Sequence, residues 1–279
     1  MTVTAVLTPF GAARLAGLVA GEVITSGHAE YDATRRVWNS MIDKRPAAIV
    51  RCAHADDVAT AIRFAAEHGL PLAVRGGGHN VAGTALVDDG LVLDLSALRG
   101  VSLDPSGRTV HVQGGATWAD VDRVTAPLGV ATPGGVVSET GVAGLTLSGG
   151  VSHQRRRDGM TVDNLVSADV VLADGRQVRA SAAEHPDLYW ALRGGGGNFG
   201  VVTSFELRLH ELGPEVFALN VAYRLEDARQ VLAGWRDAVA NAPDELSTAG
   251  LIWSLPVVDE LPEELHGLPY VGVAGMWAG

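Results

Sequence analysis

Residues 187–206 read DLYWALRGGGGNFGVVTSFE, and the order of their parts decides the fold. Gly195, Gly197 and Gly200 match the GxGxxG spacing of a dinucleotide-binding turn. That turn needs a strand before it and a helix after it, because the helix N-terminus receives the pyrophosphate. Here the order is reversed. HPDLYWALR reads as a helix, and VVTSFELRLHEL alternates apolar and polar residues as a half-buried strand does. A doubly wound nucleotide fold is therefore set aside. Five of the seven residues from Gly194 to Gly200 are glycine. Glycine loses the most backbone entropy on folding. So dense a run favours close approach of a ligand to the backbone, with a tight helix-to-strand connection as the plain alternative.

Working outward, the same mixture recurs. Residues 1–45 read as helical with a break near Gly21 to Gly27. AAIVRC, 47–52, reads as a strand, and Asp56 and Asp57 open an amphipathic helix to about Glu67. Gly69 stops it, Pro71 leads into the strand LAV, and GLVLDLS from Gly90 is a further strand. GVSLDPSGRTVHVQGG predicts two strands about a turn at Pro105 to Gly107. Thr117 caps a helix to about Leu128, and NLVSADVVLADGRQVRAS predicts a hairpin turning at Asp174-Gly175. After Gly213-Pro214 a strand, a helix (ARQVLAGWRDAVANAP) and another strand follow. Hairpins mixed with helices define an α+β class.

Glycine is the compositional outlier, with 35 of 279 residues. It clusters in RGGGH, QGGA, PGG, GVAGLTLSGG and RGGGGNFG, as expected of several loops meeting one large ligand. In PLAVRGGGHN, 71–80, three glycines follow a strand, and their successive N–H groups form a candidate anion-binding nest. Arg75 reads equally as a phosphate partner or a surface arginine, and His79 equally as a functional or an exposed loop histidine.

Composition excludes other classes. The net charge of -11, with no basic tract, disfavours nucleic acid and anionic membrane as partners. Lys44 is the only lysine, which removes a P-loop and nearly removes Schiff-base chemistry. Cys52 is the only cysteine, follows an apolar run, and reads as a core thiol. The nine histidines form no zinc-binding pattern, so no metal is expected. Ser138, Ser148 and Ser152 lie in glycine-rich loops without a GxSxG elbow and read as backbone-bonding. No apolar run spans a bilayer and MTVTAVLTPF lacks a basic n-region, so a cytoplasmic location is expected.

Taken in order, AVRGGGHN, LVLDLS, QGGATWADVD, ATPGG, GVAGLTLSGG, DGMTVDNLVSADVVLADG and DLYWALRGGGGNFGVVTSFE resemble one family. It is the FAD-binding superfamily of vanillyl-alcohol oxidase and p-cresol methylhydroxylase (PCMH) type, and within it the berberine-bridge-enzyme-like oxidoreductases. The resemblance runs from about Tyr31 to Leu212. It implies a PCMH-type FAD-binding domain of two α+β subdomains over 31–213, an N-terminal helical segment over 1–30, and the start of an α+β substrate domain over 214–279. Relatives of this kind continue further, so the chain is expected to end within that domain.

The resemblance also implies site residues. Arg75, Gly76, Gly77, Gly78, His79 and Asn80 match the loop around the FAD pyrophosphate, with His79 bonded covalently to the flavin 8α-methyl. Pro133, Gly134, Gly135, Ser138, Thr140, Gly141, Gly144, Gly149 and Gly150 match a second loop along the cofactor. Asn164, Gly200, Val201 and Val202 match segments near the ring and the adenine end. Some members carry a second link from a cysteine. Val137 stands near that place here, so a single histidyl link is expected. The implied reaction is hydride transfer from an alcohol or amine C–H of a small molecule to the flavin, with dioxygen as acceptor. A flavin-binding protein without turnover and a noncovalent FAD reductase are the alternatives, and no catalytic residue is assigned. Tyr223 and Tyr270 read as packing residues, and Arg155 to Arg157 as a solvated charge run.

Overall fold

A computed structural model describes residues 7–213 and 215–279. The chain opens with α1 (Pro9–Ala16), β1 (Glu22–Ile24) and the short α2 (Tyr31–Thr34). The expected helical segment is thus helical only in part, and residues 1–6 lie outside the described residues. Edge pairing displaces helix near Gly21: β1 runs antiparallel to β2 (Ala48–Arg51), with Val23 opposite Val50. Asp57 secures the turn, its carboxylate accepting from the N–H groups of Ala20 (2.7 Å), Gly21 (3.0 Å) and Ala53 (2.8 Å).

The first sheet has the order β1-β2-β4-β3, with β3 at Leu72–Arg75 and β4 at Leu91–Asp94 both parallel to their neighbours. α3 (Ala55–Glu67) makes the crossover from β2 to β3. Side chains alternate across the sheet. Ala48, Val50, Leu91 and Leu93 face α3 through Val58, Ala61, Ile62 and Ala65, while Ile49, Ala73 and Val92 face Tyr31 and Leu86. Burial on both faces explains the near-continuous apolar runs AAIV and GLVL.

The second sheet is wholly antiparallel, in the order β5-β6-β10-β8-β9. Its hairpins are β5 (Val101–Leu103) with β6 (Thr109–Gln113) and β8 (Leu165–Val171) with β9 (Gln177–Ser181). Both turn where the sequence predicts, with positive φ at Gly107 and Gly175. Between them lie α4 (Trp118–Thr125), β7 (Val130–Ala131), α5 (Val142–Leu147) and α6 (Arg155–Asp158); α7 (Pro186–Leu192) and β10 (Val201–Arg208) follow. Val110, Val112, Ala168, Val170, Phe205 and Leu207 pack against Trp118, Val121, Val142 and Leu147. Val171 and Val201 reach the core of the first sheet instead, which locks the two sheets together.

β11 (His210–Glu211) leads out of this body. The expected boundary at Gly213-Pro214 includes Pro214, which lies outside the described residues. A third sheet follows, β12-β14-β13, from Phe217–Arg224, Pro269–Trp277 and Leu246–Ser254. α8 (Ala228–Val239) covers one side, where the Trp235 indole donates to Thr248 Oγ1 at 3.0 Å.

The arginine run in α6 is not solvated, which corrects the sequence reading. Arg155 donates to the carbonyls of Ser152 (3.0 Å) and Thr248 (2.8 Å), and Arg156 to those of Ala242 (2.8 Å) and Leu246 (3.2 Å). Arg157 binds Asp158, Ala278 O and Glu211 O. Three consecutive guanidinium groups thus tie the third sheet to the body through backbone carbonyls, a role that leaves no trace in residue spacing.

Candidate cofactor site

The first glycine loop leaves β3 at the carboxyl edge of parallel strands, where open sheets of this kind receive ligands. Arg75 ends β3 beside Asp94 of β4. Its Nη1 donates to Thr34 O, and its buried Nε has no acceptor among the described residues. Beyond it, none of the backbone N–H groups from Gly76 to Asn80 has an intramolecular acceptor among the described residues. Such a run of free donors is what an anion recruits. His79 is half-buried and Asn80 exposed.

The glycines of this loop serve the protein as well as a ligand. A Cβ on Gly77 would collide with Gly141 N and stand 2.5 Å from Gly141 Cα. A Cβ on Gly76 would stand 3.3 Å from Gly114 O and 3.5 Å from Ala143 Cβ. Gly141 is the N-cap of α5, so the loop after β3 rests directly on the second glycine loop. Gly78 and Gly83 adopt φ of 70° and 67°, which side chains resist.

The second loop wraps Trp118. Its backbone N–H donates to Thr140 O (3.1 Å), and the next residue, Ala119, donates to Ser138 O (2.9 Å). Gly134 and Gly135 lie against the indole, where added Cβ atoms would stand 2.5 and 2.6 Å from ring carbons. Pro133 is buried beside them. Gly149 and Gly150 have φ of 109° and 80°, and a Cβ on Gly150 would meet Thr161 Cβ at 2.6 Å. Gly144 differs: it is exposed on α5 and an added Cβ would touch nothing within 4 Å. Trp118 Nε1, Thr132 Oγ1, Thr146 Oγ1 and Thr161 Oγ1 are buried without partners among the described residues.

The third glycine run divides in the same way. Gly195 packs on Phe199 (2.5 Å for an added Cβ), and Gly200, at φ 142°, packs on Val171 O (2.8 Å). Gly194, Gly196 and Gly197 face open space. A short 3-10 turn, Gly196–Phe199, lies against α5. Three separate glycine stretches therefore converge on one six-residue helix.

Not every expected residue reaches this surface with its side chain. Val201 and Val202 are buried in the two cores, leaving only their backbone. Asn164 is buried and committed: Nδ2 donates to Asp158 O (2.9 Å) and Met160 O (3.0 Å), and Oδ1 meets His210 Nε2 at 2.6 Å. Burial lowers the pKa of His210 against the opposing pull of Asp158. Tyr223 is not packed but exposed on β12. Cys52 is fully buried, and burial pushes its thiol up to about 12, so it is no nucleophile. Lys44 is structural, its ammonium donating to Gly83 O and Leu86 O at 3.0 Å each.

Residues that the sequence did not single out hold these loops. Burial would raise the pKa of Asp120, but hydrogen bonds from Thr117, Arg99 and Arg123 hold it at about 2. Its carboxylate accepts from Thr117 N (2.9 Å) and from Arg99 Nη2 (2.8 Å), fixing the start of α4 under the second loop. Trp38 stacks on His79. An Asp three residues after Thr117 was a legible capping signal, whereas the contact of Trp38 with His79 spans 41 positions and had none.

Converging glycine loops, with N–H donors and buried hydroxyls that lack partners among the described residues, are the features an extended anionic cofactor would require. The FAD binding domain family matches residues 46–181. The chain belongs to the FAD-linked oxidoreductase superfamily of PCMH and vanillyl-alcohol oxidase type. It is 36% identical over 256 residues to the (R)-6-hydroxynicotine oxidase of Paenarthrobacter nicotinovorans, covering 91% of this chain and 52% of that one. Among solved structures, the 6-hydroxy-D-nicotine oxidase of Arthrobacter nicotinovorans superposes with a TM-score of 0.85 at 33% identity, covering 94% of this chain and 56% of that one. The xylooligosaccharide oxidase of Myceliophthora thermophila, solved with xylobiose, gives 0.82 at 27% identity, covering 96% and 56%. The chain spans about half the length of these relatives. Among the described residues no helix is long and apolar enough to cross a membrane.

Proposed function

We propose that the chain is the FAD-binding part of an oxidase that acts on a C–H bond next to an alcohol or amine in a small molecule. The observation that carries this reading is the run of N–H groups from Gly76 to Asn80 without acceptors among the described residues, set against α5 and including the His79 imidazole. When bound, FAD supplies the two-electron redox chemistry. The chain supplies its placement. Backbone donors of the first loop take the pyrophosphate, with Arg75 adding positive charge at the strand end. Gly144 leaves one side of α5 bare, where the cofactor would rest. Ser138 and Thr140 hold the second loop through their carbonyls, and Gly200 lets the third loop close. His79 anchors the flavin by a single C–N bond to the 8α-methyl. Forming that bond would replace one imidazole N–H and one methyl C–H, with dioxygen as the acceptor for two protons and two electrons. Residues 31–213 form the cofactor unit, and the third sheet begins the substrate unit. The relatives' names span a nicotine derivative and a sugar, which supports a small-molecule substrate without choosing one. A single buried cysteine fits a cytoplasmic location.

The test is a visible spectrum of the purified chain before and after acid precipitation. A pellet that keeps its flavin, and loses it in His79→Ala, is the expected result. Flavin released to the supernatant rejects the tether and leaves FAD binding standing. A chain that stays colourless with added FAD rejects both. Anaerobic bleaching by a substrate separates an oxidase from a protein that only holds flavin.

A further inference from the structure

The loop that carries His79 is held on its outer side by a strap, residues 37–44. Trp38 N donates to Gly78 O (3.1 Å) and Asn39 Nδ2 to Val81 O (2.8 Å). Ile42 lies over Gly83, where an added Cβ would stand 2.7 Å from its side chain. Lys44 closes the strap on the carbonyls of Gly83 and Leu86. Within this frame the Trp38 indole lies on the His79 imidazole, with ring centroids 5.9 Å apart and planes 20° from parallel. The separation is that of an offset stack. Burial does not explain the placement, because Trp38 remains 63% exposed. The indole sits where the backbone bond to Gly78 puts it, one residue before the histidine.

We infer that Trp38 is a positioning residue for His79, fixing the plane of the imidazole that anchors the flavin; the inference rests on the reading of His79 as that anchor. The χ2 torsion of histidine is broad, so an imidazole on a glycine loop samples a wide arc unless a neighbour restrains it. A bond to a carbon held in a second loop needs one ring nitrogen presented in one direction. The stack supplies that restraint on one face and leaves the other edge of the ring free. The strap makes the restraint stiff, because four of its residues are pinned to the same loop.

The test uses the whole chain as wild type, Trp38→Leu, Trp38→Phe and His79→Ala, with two readouts. The first is the proton spectrum of the histidine-labelled protein without FAD, in which His79 is assigned by its loss in His79→Ala. Its ring protons are expected upfield in the wild type, to move downfield in Trp38→Leu, and to return part of the way in Trp38→Phe. The second is the rate at which added FAD becomes acid-insoluble. It is expected to fall about two- to tenfold in Trp38→Leu, the factor one stacked pair supplies, and to recover in Trp38→Phe. Total FAD bound is expected to stay unchanged. His79 resonances or an attachment rate unchanged in Trp38→Leu, with attachment lost in His79→Ala, overturn the role of Trp38 alone. Acid-stable flavin that survives in His79→Ala overturns the anchor, and the role of Trp38 with it.

Discussion

Gly77→Ala and Gly144→Ala separate two reasons for a glycine. At Gly77 the methyl would be placed 2.5 Å from Gly141 Cα, backbone against backbone. Relief needs the two loops to part by about 1 Å, because carbon atoms rest at about 3.5–4.0 Å. Overpacking that moves backbone costs about 1–3 kcal/mol. For a chain of this size that is a fall in melting temperature of about 2–4 °C per kcal/mol, in protein without FAD. At Gly144 the methyl meets nothing within 4 Å and the backbone is helical. Alanine favours a helix over glycine by about 0.5–1 kcal/mol, so Gly144→Ala raises the melting temperature of the FAD-free protein slightly. The same methyl stands on the surface over which the cofactor is proposed to lie, so FAD retention falls. Thermal melts without FAD, paired with flavin retention on a desalting column in a His79→Ala background that has no covalent tether, read both effects. A Gly77→Ala protein that melts as the wild type does refutes the claim that this glycine is there for loop contact. A Gly144→Ala protein that keeps its flavin refutes the placement of FAD over α5.

Three further outcomes follow from the side chains that hold the fold. Asp120 is 5% exposed and its folded pKa of about 2 lies below the unfolded value of 3.8, so it stabilises the fold above pH 4 and loses that contribution as pH falls toward 2. The full contribution is on the order of 2 kcal/mol, and Asp120→Asn is expected to flatten the stability curve in that window, measured by urea unfolding between pH 2 and 5. Cys52, with its thiol pushed up to about 12, is expected to resist alkylation at pH 8 until the protein unfolds, which mass spectrometry follows. Arg156→Ala removes the bonds to Ala242 O and Leu246 O and leaves those carbonyls short of a donor. The third sheet is then expected to exchange its amide protons faster, by a factor matching about 1–3 kcal/mol, while the first two sheets do not change.

The elements of the two main sheets were legible because each follows from a local rule. The hairpins turn at Gly107 and Gly175 since only positive φ closes them, and α3 begins at the acidic pair Asp56 and Asp57. Misreadings arose where a distant partner decides. Glu22–Ile24 becomes a strand because β2 offers an edge, not because of its own composition. Arg155 to Arg157 look like surface charge until Thr248 and Ala242, some 90 residues away, present their carbonyls. The candidate site divides along the same line. The glycine clusters mark it in one dimension, but which of them touch each other is a property of the fold.

That division is informative about function. Glycines with a backbone, ring or packed side chain at the missing Cβ, namely Gly77, Gly141, Gly134, Gly135 and Gly150, are satisfied by the protein itself and assemble the loops. Among glycines with open space there, Gly194 and Gly196 are set at φ of 112° and 71°, which itself calls for glycine, whereas Gly144 and Gly197 have no such internal reason. Gly196 and Gly197 stand in the literal GxGxxG run, whose surrounding helix and strand exclude the dinucleotide turn it imitates. The bare backbone of Gly144 and Gly197 therefore acts outward, and the N–H groups of Gly76 to Asn80, without acceptors among the described residues, face the same requirement from the neighbouring loop. A surface kept bare by one loop and left rich in donors by another suits a ligand that is flat at one end and anionic at the other, which is the shape of FAD.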